Sequence, residues 1–162
     1  MAALADTVAA TKAQVERAKA DLLTVFSHVP DEKLTWSPGG AARSSIQIVS
    51  HCGAAGHAFA MMLRGEAFPV ADDPAEAAAM IRNAGSDVTS RAEAVRMVED
   101  STREILLALD GVTEERMGGM SQTPFGPMPY AIWLDIAHGH LSGHARQLDY
   151  IQTIWDDLED HR

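Results

Sequence analysis

Apolar residues recur at helical spacing through four long stretches of this chain, and no stretch alternates at the two-residue period of a strand. In the first stretch Leu4, Val8, Thr11, Val15, Ala18, Leu22, Val25 and Val29 follow in alternating steps of four and three, the mark of one buried helical face. Asp6 or Thr7 is a candidate cap, and Pro30 stops the helix. The run DEKLTWSPGGAARS reads as a loop, after which Ser44 or Ser45 caps a second helix over residues 45–63. Its inward face is Ile48, His51, Cys52, Ala55, Phe59 and Met62; Gly65 and Pro69 end it. Residues 64–86 are too many for a tight turn, and Asp73-Pro74 before AEAAAMIR predicts a short helix inside them. So long a crossover lets the helices it joins run parallel. A third helix is expected over 87–109, with Gly111 as its stop. Residues 111–129 form a proline-stiffened loop around an exposed Phe125, able to roof a site. The fourth helix, 129–160, is the longest. At about 100° per residue it holds Trp133, Ala137, His140, His144, Gln147, Ile151, Trp155 and Leu158 within roughly 40° of one line.

An all-α fold follows, in one domain spanning 1–162, since 162 residues can bury a continuous core without disulfides. Hydrophobic residues make up 46% and charged residues 22%, and no apolar run approaches the roughly 18 to 20 residues of a membrane span. The N-terminus has charges at helical intervals where an export signal would have an apolar core, so a soluble, cytoplasmic protein is expected. A single cysteine, Cys52, excludes an internal disulfide. The formal charge of −10 is spread along the chain and would repel phosphate backbones, which argues against nucleic acid as a partner.

Function is sought among the seven histidines. His140 and His144, four residues apart, leave one helix face one turn apart, which makes them a chelating pair. His51 lies on the inward stripe of the second helix and can meet the pair across the core. His57, about 180° from Ile48, and His138, about 140° from Trp133, point elsewhere, while His28 and His161 lie at helix or chain ends. Core hydrogen bonding accounts for one buried histidine, but three sharing a core without a cation would compete for few partners. Three neutral imidazoles fill one hemisphere of a divalent ion and leave the other open, as in a catalytic rather than a structural site. The pair reads HLSGH, with Leu141 where a zinc protease carries its glutamate base, which excludes that chemistry. Cys52 diverges from His51 by about 100° on the wheel, so the two form no dyad and an inert thiol is expected.

A Trp-Ser-Pro loop (LTWSPGG) leading into SSIQIVSH, a TPFG loop and a terminal helix with HLSGHARQ together resemble the DinB/YfiT superfamily along nearly the whole chain. Its specific anchors are His51, His140, His144 and Gln147. The resemblance implies an up-down-down-up four-helix bundle with a long crossover between helices two and three, a three-histidine site for zinc or nickel, and frequent homodimers. Relatives of known activity are mostly thiol transferases.

Three readings stand beside one another. In the leading one the ion activates a low-molecular-weight thiol that attacks a small electrophile under the Phe125 loop. In the second, hydroxide generated at the same ligands hydrolyses a substrate; in the third, the bundle only binds a metal or ligand. Gln147, one turn from His144, either orients water or substrate or serves the core. Trp36, Phe125 and Trp133 are candidates to line the pocket, and Leu134, Leu141 and Leu148, seven apart, suit helix packing or a dimer seam.

Overall fold

The computed structural model describes residues 2–161 and is mostly helical. In chain order it has α1 (Ala2–Ser27), a 3-10 turn (Asp31–Lys33), α2 (Ser45–Leu63), α3 (Pro74–Asn83), α4 (Arg91–Asp110), α5 (Glu114–Met117), β1 (Met120–Thr123), β2 (Gly126–Pro129), α6 (Ile132–Gln152) and a last 3-10 turn (Thr153–Trp155). α2, α3 and α4 begin where a side chain can satisfy a free amide at the helix start, whereas α6 begins after Ala131 without a side-chain cap. Gln47 Oε1 accepts from the Ser44 amide at 3.0 Å ahead of α2, Asp73 accepts from Ala75 and Glu76 at 2.9 Å ahead of α3, and Ser90 caps α4. That last cap starts α4 at Arg91, four residues later than the apolar pattern indicates, because Gly85 takes a left-handed φ of +78° and the chain turns again at Val88.

α1 packs on α6 and α4, and α2 packs on α4 and α6. Arg91 ties the start of α4 to the end of α1: its guanidinium donates to the carbonyls of Phe26, at 2.7 Å, and Val29, and to Asp31 at 2.8 Å. α2 approaches α4 closely because it presents glycine there; a Cβ on Gly53 would stand 2.6 Å from Met97 Cβ, and one on Gly56 2.5 Å from Ser101 Oγ. The whole length of α2 is long and apolar enough, by length and composition, to cross a membrane, contrary to the expectation that no run approaches that limit. Its composition has another cause: 67% of that window is buried inside the fold.

Two groups of buried side chains form the core. One gathers Leu22, Val25, Phe26, Ile48, Val49 and Leu148; the other gathers Val15, Phe59, Leu63, Ile105, Leu109 and Trp133. Along α6 the change from the second group to the first falls between Ala137 and Leu141, at His140. Leu134, Leu141 and Leu148 are all buried within this core, so that strip packs helices and does not form an outer seam.

Two differences from the expected architecture stand out. Within 111–129 the chain forms a short helix and an antiparallel hairpin, pairing Met120 with Pro129 and Thr123 with Gly126, where no strand was expected. Pro127 and Pro129 mask the strand signal, yet a two-strand ribbon is all edge and tolerates them. The tip is Pro124-Phe125, held by Thr123 Oγ1 donating to the Gly126 carbonyl at 2.7 Å. The second difference is that α6 ends at Gln152 instead of continuing to about residue 160. Gln152 Nε2 donates to the Val25 carbonyl at 3.3 Å, and α1, on which α6 packs, itself ends at Ser27. Leu158, expected on the inward stripe, is 82% exposed.

The α2–α4 contact leaves no room for a methyl group, so Gly53→Ala should cost about 1–3 kcal/mol of stability through overpacking, read as a lower urea midpoint. Gly143, on α6 with open space where its Cβ would be, should give the opposite sign: Gly143→Ala raises stability by about 0.5–1 kcal/mol through helix propensity.

Candidate metal centre

His51 comes from the middle of α2, and His140 and His144 from adjacent turns of α6. One potential ligand nitrogen from each lies within 4.8 Å of the others. The ring centroids are 5.1 Å apart for His51 and His140, 5.2 Å for His51 and His144, and 4.5 Å for His140 and His144. The three histidines singled out by helical spacing are therefore the three that converge, positioned to bind a metal ion. The other four do not join them. His57 Nδ1 meets Glu104 at 3.0 Å, His28 stacks on His161 at 4.0 Å, and His138 lies 4.0 Å from Asp135.

His51 is buried and His140 and His144 are half-buried. Loss of water lowers all three pKa values, because an imidazolium in this environment is poorly solvated. His140 falls to about 3, by burial first and then by repulsion from His144, His51 and Arg43. His51 falls to about 4, by burial and then by the charges of Arg43 and His144, against an opposing contribution from the Ala84 backbone. His144 is also lowered by burial, although its bond to Gln147 acts the other way. All three rings are neutral near pH 7, with a lone pair each to offer.

Gln147 is exposed and not part of the core; its Oε1 lies 2.8 Å from His144 Nδ1. With Nδ1–H donating to that oxygen, Nε2 of His144 is left as the free acceptor, the tautomer a metal ligand needs. His51 Nδ1 is buried with no hydrogen-bond partner. An orphaned imidazole nitrogen among other neutral imidazoles fits a site for a divalent ion and is otherwise costly to keep. Gly85 brings the crossover onto this spot: a Cβ there would lie 2.7 Å from the Ser50 carbonyl and 3.0 Å from the His51 amide, and Ser50 Oγ donates to the Gly85 carbonyl at 2.7 Å. Glycine is required at this position both for its φ and for the approach.

A chamber of about 550 Å³ opens beside the centre, with His51 and His140 in its wall. Phe59, Phe68, Phe125, Met128, Trp133 and Ile136 make it mostly apolar, and none of its lining residues is charged. Phe125 and Trp133 thus line the pocket as expected, while Trp36 does not: it packs edge-on against Trp155, ring centroids 5.2 Å apart. A larger cleft of about 940 Å³ around Glu66, Arg116 and Gln122 includes none of the three histidines. Cys52 is buried, and burial pushes its thiol pKa far up, as an inert side chain requires. Sequence reasoning did not find Arg43, in the loop before α2, whose charge bears on all three imidazoles; it belongs to no periodic stretch.

A family model described as the DinB superfamily matches residues 14–148, a span that takes in all three histidines and Gln147. No curated protein matches the chain.

The lowered pKa values fix the sign of the pH response. Above about pH 6.5 folded and unfolded forms are both neutral at these rings; on acidification the unfolded chain takes up protons that the folded one refuses. The metal-free protein should lose stability progressively between pH 6.5 and about 4, and His140→Phe should flatten that part of a melting-temperature profile. Zinc uptake at about pH 7.5, measured by calorimetry in buffers of different ionisation enthalpy, should release few protons from the ligands, since all three pKa values lie below the ordinary 6.5. Gln147→Leu should weaken zinc binding by about 10- to 100-fold, read by competition with a chelator.

Proposed function

From the membership of this chain in the DinB superfamily, and from the converged imidazoles at the wall of an apolar chamber, we propose a metal-dependent thiol transferase. In this reading His51, His140 and His144 are the ligands of a divalent transition metal, zinc or nickel, and the protein joins a low-molecular-weight thiol to a small electrophile. The observation that carries it is the juxtaposition of three neutral nitrogens within 4.8 Å with a chamber of about 550 Å³. The chemistry such an ion supplies is Lewis acidity, enough to lower the pKa of water towards about 7 and to ionise a thiol outright.

The chain's own residues would do the rest. His51 and His140 line the chamber, so a molecule bound there lies against them. Phe59, Phe68 and Trp133 exclude water from it, and Gln147 keeps the proton of His144 on Nδ1. No aspartate or glutamate lines the chamber. That favours thiol transfer over hydrolysis, because a thiol ionised on binding needs no carboxylate base, whereas hydrolysis commonly uses one.

The fuller architecture belongs to the same reading: a single domain, an up-down-down-up bundle with α1, α2, α4 and α6 as its four helices, and a crossover through α3. Support comes from Gly53 against Met97 and Gly56 against Ser101, which favour parallel α2 and α4, and from Lys12 pairing with Asp110 while Arg91 reaches Phe26, which favours antiparallel α1 and α4. A cytoplasmic homodimer acting on small molecules, with neither nucleic acid nor membrane as partner, completes it; exposed Tyr150 and Ile154, one turn apart, are available to a second copy.

Metal analysis of the purified protein should find about one divalent ion per chain, and His51→Ala and His144→Ala should each lose it. With metal present, a chloronitroarene should be consumed only when a thiol is added. Thiol-independent turnover of an ester would replace transfer with hydrolysis, and full occupancy with no turnover of either class would leave a binding protein.

A further inference from the structure

Arg64 pairs with Glu66, Arg91 with Asp31 and Arg103 with Asp100. Arg43 is in no such ion pair among the described residues, and what distinguishes it is its place: it is held to the end of the crossover helix, and its charge bears on all three imidazoles. It is half-buried, and its one hydrogen bond among the described residues runs from Nη2 to the Arg82 carbonyl at 2.8 Å. Arg82 lies near the end of α3, and the next two residues, Asn83 and Ala84, line the chamber. The guanidinium is thereby held against the segment that walls the chamber, without lining it, and its charge acts on His51, His140 and His144.

The chamber wall itself has no charged side chain, so, apart from a metal ion held by the histidines, the cation beside the chamber for an anionic group on a bound molecule would be Arg43. We propose that Arg43 is the specificity-determining residue of this site and recognises a carboxylate on one of the molecules bound there, whose uncharged body occupies the chamber. A carboxylate matches a single planar fork with most of its donors unused, whereas a phosphate dianion commonly gathers several cations, and the overall negative charge of the chain disfavours more highly charged ligands. The inference deepens the transferase reading and rests on it for the identity of the two molecules; either the electrophile or the thiol can carry the acid.

The test uses zinc-loaded protein and two matched pairs of probes, 3-phenylpropanoate against 3-phenylpropanamide and 3-mercaptopropanoate against 3-mercaptopropanamide, with affinities from calorimetry. In one pair the acid should bind at least about tenfold more tightly than the amide, the scale of one charge-assisted bond, and that pair identifies which molecule carries the carboxylate. Arg43→Gln should abolish the preference with zinc content unchanged. An undiminished preference in R43Q, or none in the wild type for either pair, overturns the proposal. Should R43Q lose zinc or fail to fold, Arg43→Lys decides: a retained preference supports recognition by charge, and a lost one overturns it. A wild-type protein that takes up neither zinc nor nickel would refute the metal reading instead, and the same comparison on the metal-free protein would still judge Arg43.

Discussion

Three imidazoles within 4.8 Å of one another inside a helical core present a desolvation problem that the surrounding structure has to answer. None can hold a proton cheaply there, and His51, whose Nδ1 is buried without a hydrogen bond of good geometry, has only the Ala84 backbone to favour one. The surroundings keep the rings neutral by burial and by the positive charge of Arg43, and fix the orientation of one of them through Gln147. The nitrogens stay together because the helices bearing them are fixed from the far side. α2 is pressed on α4 at Gly53 and Gly56, and the crossover is seated on His51 through Gly85 and Ser50. Loosening either contact would let the α2 ligand drift away from the α6 pair.

The same seating creates the chamber. Residues before, within and just after α3 border it, Phe68 to Val70, then Met80, Ile81 and Asn83, then Ala84, so the crossover walls the side that the long helices leave open. The β1–β2 hairpin contributes Thr123, Phe125 and Met128 from another direction. Phe125 is 56% exposed even so, as befits a side chain at the mouth of a cavity.

What could be read in the sequence was what repeats. The four-residue spacing of His140 and His144 and the place of His51 on an apolar stripe are consequences of helical geometry, and the same geometry separated Cys52 from its neighbour and sent His57 and His138 elsewhere. The span of α2 was legible because a serine cap and a terminal glycine bracket an uninterrupted stripe. The end of α6 was not, since the stripe runs on through Leu158 and only the tertiary level of Val25 shows that its packing partner stops. Prolines hid the hairpin for a similar reason: their penalty assumes a neighbouring strand on both sides. Arg43, Phe68 and Met80 approach the site from loops or from the crossover helix, and no period along the chain relates them to the histidines.

Cys52 follows His51 directly and yet lies 1% exposed in the apolar core, with burial favouring its protonated form. A catalyst that ionises sulfhydryl compounds risks capturing its own, either by ligating the ion with it or by letting the electrophile alkylate it. The only sulfhydryl of the polypeptide is turned about 100° away on the helix and kept protonated, so under the proposed transferase reading the protein would be insulated from self-inactivation.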